Sequence, residues 1–156
     1  MQLLDFIVCD DIRHEVGNKM TLVGIYGDQM QIMALPTPGE DKWPKAIKLA
    51  FFVRIKILND EPMPNAFNLQ FFQDEKEVNS IKQNVIIPTP PPGMSPQKVT
   101  LLNLALVFGN FKLLATGEIN FKLTLLRDGK VIYDISPEYV LKIATIPAQD
   151  MFQLKN

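Results

Sequence analysis

Within a short span near the start of the chain, Cys9, Asp10, Asp11, His14 and Glu15 offer a thiol, an imidazole and three carboxylates. Donors of this kind can hold a divalent ion, because zinc accepts sulfur and nitrogen ligands and calcium accepts oxygens. The geometry of a strand works against it. Neighbouring side chains on an extended strand face opposite ways, so Asp10 and Asp11 reach one ion only across a bulge. The same polar cluster reads equally as a solvated strand end in which Arg13 pairs with a carboxylate. Further acids, Asp28, Asp60, Glu61, Asp74 and Asp128, fall in turn-like stretches, where calcium-binding sandwiches also place aspartates. Their spacing follows no dense ligand pattern, and acidic residues favour turns for backbone reasons alone.

Nucleophilic catalysis finds little support. His14 is the single histidine, and a serine or cysteine nucleophile needs a base within hydrogen-bond reach. Ser80, Ser95 and Ser136 lie in no G-x-S-x-G elbow, and the chain has no phosphate-binding glycine loop and no H-E-x-x-H. Cys9 sits in an apolar stretch, where a lone cysteine behaves as a small core residue. These residues predict a protein without catalysis and without a cofactor.

A third candidate is a surface. Lys48, Ala50, Phe52, Arg54 and Lys56 share one face of an alternating segment, just after Lys42, Trp43 and Lys45. An aromatic ring flanked by cations can stack a base while the cations meet phosphates, as on single-strand nucleic-acid binders. The other reading is that a loop or a second subunit covers Phe52, with the lysines discouraging stray strand pairing. The formal net charge of −1 supplies no long-range attraction for nucleic acid or anionic lipid, which favours the covered reading.

The elements that must position these residues are strands. Ile119, Phe121, Leu123 and Leu125 alternate with Asn120, Lys122 and Thr124, and Asp128-Gly129 then predicts a tight primed turn into Val131-Ile132-Tyr133. Leu49, Phe51, Val53, Ile55 and Ile57 repeat the pattern, as do Phe67, Leu69 and Phe71 after a loop broken by Pro62 and Pro64. Asp74-Glu75-Lys76 predicts another turn, leading to an extended piece that ends in Val85-Ile86-Ile87. Leu4 to Ile12 and Met20 to Met33 read as two strands joined at Gly17-Asn18, the second bent at Gly24 and Gly27. Val99 to Phe108 is apolar in both phases, which leaves strand and buried helix open, with the β neighbours favouring strand.

Pro88 to Pro96 holds five prolines and predicts a polyproline-like connector, or a ligand for an aromatic groove. One helical turn is expected near Ala148 to Leu154. At 156 residues and 47% hydrophobic, the chain should form one domain over residues 1–146 with a short tail at 147–156. About seven or eight strands predict an all-β, two-layer antiparallel sandwich of immunoglobulin-like type with little helix. A single cysteine excludes an internal disulfide, and a reducing cytoplasm is the simplest home. The N-terminal residues lack a signal-peptide pattern, and no stretch approaches the roughly 18 apolar residues a membrane span needs.

The run Cys9-Asp10-Asp11-Ile12-Arg13-His14-Glu15-Val16-Gly17-Asn18-Lys19, together with Gly117-Glu118-Ile119-Asn120-Phe121 closing in Asp128-Gly129, resembles a family of small uncharacterised bacterial β-sandwich proteins. That family opens with C-D-D-x-R-x-E-x-G-x-K. The second element also resembles the last hairpin of immunoglobulin-like domains, with Ile119 where a tyrosine is common. The resemblance implies a β fold and a bacterial cytoplasmic protein, and assigns no activity or residue role.

The residues therefore predict a non-enzymatic interaction module that binds protein, including copies of itself. Its surplus apolar segments supply the surface, with Phe52, Arg54, Lys56, Leu104 and Leu141 as the candidate residues, since apolar surface left uncovered marks interfaces. The alternatives are a small-ligand or divalent-metal-binding sandwich using Asp10, Asp11, His14 and Glu15, and a single-stranded nucleic-acid binder using the Lys48–Lys56 strand.

Overall fold

In a computed structural model, which describes residues 1–17, 19–33, 42–86, 98–138 and 140–146, alternation along the chain has become ten strands in two facing sheets. The first sheet has the order β2-β1-β4-β7, from Lys19–Ile25, Gln2–Glu15, Lys45–Leu58 and Val99–Leu113. The second has the order β3-β10-β8-β5-β6, from Gln29–Met33, Leu141–Ile146, Gly117–Arg127, Ala66–Gln73 and Lys76–Asn84, with β9 (Lys130–Ile135) beside the far half of β8. None of the described residues is helical, and the architecture is a β-sandwich.

Every pairing is antiparallel except β3 with β10, which run parallel. The primed turn at Asp128-Gly129 is present, with both residues at positive φ (51° and 77°). Asp74 and Glu75 turn the same way, with φ of 49° and 63°.

Period-two patterning explains the core. Leu49, Phe51, Val53, Ile55 and Ile57 face inward from β4, and Phe67, Leu69, Phe71, Ile119, Phe121, Leu123 and Leu125 meet them from the second sheet. Phenylalanines join the layers: Phe51 and Phe71 lie 4.6 Å apart, and Phe71 meets Phe111 edge-on at 5.0 Å and 90°. Edge-to-face pairs add about 0.5–1.5 kcal/mol each beyond the area they bury.

Three expectations are corrected. The strand count among the described residues is ten rather than seven or eight, because Met20 to Met33 is two strands in different sheets and Leu141–Ile146 is a strand as well. The chain leaves the first sheet after Ile25, and Lys142 N–H donates to the Asp28 carbonyl (2.8 Å) as the second sheet begins. Leu104 is not surface. Val99–Leu113 is a strand whose even positions Leu102, Leu104 and Leu106 enter the core, leaving Leu101, Asn103, Ala105 and Val107 outside. Leu141 is fully buried as well, because it pairs with Ile119 beneath the second sheet's neighbours. The proline-rich run and the residue 148–154 helical turn lie outside the described residues, as do Ile87 and the tail at 147–156.

Candidate functional site

The face of the first sheet that looks away from the core is the feature that sets this sandwich apart. Cross-strand partners share a face, and Ile7 pairs with Phe52, Cys9 with Ala50, Phe52 with Ala105 and Ala50 with Val107. The result is an apolar band running across β1, β4 and β7 on the outside. Cys9, Ile12, Ala50 and Phe52 form a buried cluster separate from the main core, with Ile7, Met20, Leu22 and Ala105 packed on it.

The expected grouping of Phe52, Arg54 and Lys56 on one face of β4 is present, but its geometry does not suit base stacking. Phe52 is only 4% exposed, and the Arg54 guanidinium lies over its ring at 5.3 Å. Arg54 is itself committed, with an ion pair to Asp5 at 3.2 Å and an Nε–H hydrogen bond to the Asn103 side-chain oxygen at 3.3 Å. A nucleic base has no open ring there to stack upon. Just upstream, the Lys45 ammonium sits 5.1 Å from the Trp43 ring.

The polar cluster is split between different partners. Asp10 reaches across to the end of β2, where the hydroxyl of Tyr26, the residue after the strand, donates to its carboxylate. Gly24, at φ +64°, makes room for it, since a Cβ at position 24 would run into the Asp10 carboxylate. Asp11 turns to β4 instead, taking the Lys48 ammonium at 2.8 Å and its neighbour Ile12 N–H at 3.0 Å, with Arg13 Nε at 3.8 Å. Glu15 accepts from the Thr21 hydroxyl. His14 pairs in register with Met20 and is exposed. Among the described residues, no three or more His, Cys, Asp or Glu side chains converge as a metal would require.

Electrostatics follow these contacts. The hydrogen bond and charge of Lys48 hold the Asp11 carboxyl below the usual carboxylate range. Burial, then the hydrogen bond to Asp10, pushes the Tyr26 phenol up to about 12. Burial also pushes the Cys9 thiol up, and the charges of Asp10 and Asp11 act in the same direction, which keeps it protonated and a poor nucleophile.

At the opposite end, Asn65 and Asp128 border a depression of about 510 Å³ that also touches Lys82 and Asn84. The two residues bond each other: Asn65 Nδ2 donates to Asp128 Oδ1 (2.8 Å), and Asp128 N–H donates to Asn65 Oδ1 (3.1 Å). The contact closes the hairpin end rather than presenting groups to a ligand.

The residues that sequence patterning missed are on β7. It forms the edge of the first sheet, with β4 as its sole ladder partner among the described residues. From Val99 to Phe111 it carries no charge and no proline. Leu101 is 54% exposed and Val107 49% exposed, both on the outer face. The signal available in the sequence was the length of that uncharged run, which outstrips the doubly apolar core of Leu101 to Phe108.

The architecture places the chain among the all-β sandwiches. The chain belongs to a family of unknown function, DUF6941, whose profile matches residues 4–136. That span contains both the Cys9–Lys19 element and the hairpin closing at Asp128-Gly129. A comparison with curated proteins finds no match. Among the described residues, no helix is long and apolar enough to cross a membrane.

Proposed function

We propose that this chain is a non-enzymatic protein-interaction module that associates with copies of itself through the β7 edge of its first sheet. The observation that carries the reading is β7, an edge strand of fifteen residues that is uncharged from Val99 to Phe111. Natural edges are blunted by charges, prolines, bulges or brevity, because unpaired N–H and C=O groups recruit other strands. A long edge that keeps this capacity, with Leu101 and Val107 exposed along it, fits a surface meant to be covered. The absence of a poised nucleophile around Cys9 and the separate commitments of Asp10 and Asp11 agree with a binding role. The lone buried cysteine agrees with a reducing compartment, and the opening C-D-D-x-R-x-E-x-G-x-K element with a bacterial cytoplasmic protein.

Light scattering behind a sizing column tests the proposal, at concentrations spanning two decades. The expected result is a mass at a multiple of 17.7 kDa that falls toward the monomer on dilution. A monomer at every concentration overturns it.

A further inference from the structure

We infer that two copies pair β7 with β7 antiparallel about a two-fold axis at Leu104, joining two four-stranded sheets into one continuous sheet. This rests on the self-association proposed above and specifies where and in what register it occurs.

Three features of β7 converge on that residue. The ladder of β7 with β4 runs without interruption from Val99 to Phe108, and the register then shifts between Phe108 and Phe111, where Gly109 and Asn110 bulge. A regular edge fit to pair therefore spans Val99 to Phe108, with its midpoint beside Leu104. The two large apolar side chains exposed on β7, Leu101 and Val107, lie on the same outer face and equally far from Leu104. An antiparallel copy centred there sets each Leu101 directly opposite Val107 of the second copy, twice over. Leu102 then faces the second copy's Leu106, and Asn103 faces its Ala105. Finally, homotypic pairing brings a strand's own charges together, and like charges opposite one another destabilise a ladder. Between Val99 and Phe111 there is none to bring together.

A second copy suits this edge better than an unrelated strand because the arrangement is isologous. One patch complements itself and closes as a dimer in which both β7 edges are paired. The Asn79 side chain of β6 already occupies both backbone groups of Lys112, by bonds of 2.9 and 3.2 Å, so the available edge ends short of that residue.

Cysteine trapping of the full-length chain tests the register. Leu101→Cys and Val107→Cys, each in an exposed position, are prepared separately, reduced, mixed and then oxidised. In the inferred register, positions 101 and 107 of opposite copies come within disulfide reach. The two copies of position 101 stay roughly 20 Å apart, given about 3.4 Å per residue. The mixture should give at least tenfold more covalent dimer than either variant alone. Cys9 is buried and contributes no cross-link. A dimer by light scattering without the mixed cross-link, or with strong cross-linking of Leu101→Cys alone, overturns the register while leaving self-association standing. A monomer at all concentrations overturns both.

Discussion

Two edge strands lie on the same side of this sandwich and are built to opposite ends. β6, the edge of the second sheet, carries Lys76, Glu77 and Lys82 and a register shift against β5 between Phe71 and Phe72. A hydrogen bond from Ser80, and then one from the Gln70 amide at 2.7 Å across the strands, hold the Glu77 carboxyl below its usual range. Charge and bulge together make β6 a poor template for another strand. β7, joined to it by the Asn79–Lys112 contact, lacks charge along its regular length. Since both edges belong to one small domain, general solubility does not explain the contrast. In the proposed dimer, one edge is protected and the other is paired.

The largest effect should come from the inward face of β7. Leu104→Ala removes a core side chain and should cost about 2–5 kcal/mol in chemical denaturation. Next comes the polar clamp where β7 hands over to β8. Gln73 is fully buried, donating to the Ala115 carbonyl (2.7 Å) and accepting from Leu114 N–H (2.8 Å). Gln73→Leu leaves both backbone groups without their partner and should cost about 1–3 kcal/mol by the same measurement. A loss as small as that of an exposed substitution would mean that the handover is not held by this side chain.

The outward face should respond differently. Val107→Lys should change unfolding stability by no more than about 0.5 kcal/mol. Because each dimer contains the contact twice, it should raise the dimer dissociation constant about tenfold. Adding Leu101→Glu should restore association, since each glutamate would then face a lysine of the other copy. On β6, Lys82→Ile should leave the dimer constant unchanged, and a comparable effect there would erase the distinction between the edges.

The smallest effect concerns pH at the far end of the first sheet. Asp11 has its folded pKa lowered, so its contribution is present above the ordinary carboxylate value and fades as pH falls through the lower, folded value. Lys48→Met should move the Asp11 carboxyl resonance to titrate nearer its ordinary pH, read by carbon-detected NMR. Tyr26 works in the reverse sense. Its stabilisation holds below the ordinary phenol value and is lost as pH rises toward about 12, so the ultraviolet tyrosinate component that disappears in Tyr26→Phe should titrate there.

Much of the sandwich is written in period two. Ile119 to Leu125 and Leu49 to Ile57 could face only one way, and Asp128-Gly129 could turn only in the left-handed region. Leu104 and Leu141 are buried for different reasons. In β7 both phases are apolar, so alternation carries no information about which phase is inside, and the answer comes from long-range pairing with Val53. In β10 the exposed Lys142 between buried Leu141 and Ile143 does mark the inward phase, over a strand of only six residues. The separation of Asp10 from Asp11 followed from strand geometry, whereas their partners Tyr26 and Lys48 depend on register. The change of sheet after Ile25 was signalled by its glycines, but a glycine marks a bend without giving its destination.

The parallel pairing of β3 with β10 also bears on how the chain is made. β3 is synthesised long before its partner, since Gln29 to Met33 find their ladder only in Lys142 to Ile146. Strand pairings this remote in sequence are slow to form, because the intervening loop must close before any contact rewards it. The first sheet can assemble once β7 is synthesised, whereas β3 must wait as an unpaired ribbon until β10 has been made. Nascent chains stalled before residue 141 should therefore present β3 to chaperones and proteases, and emergence of β10 is the step that hides it.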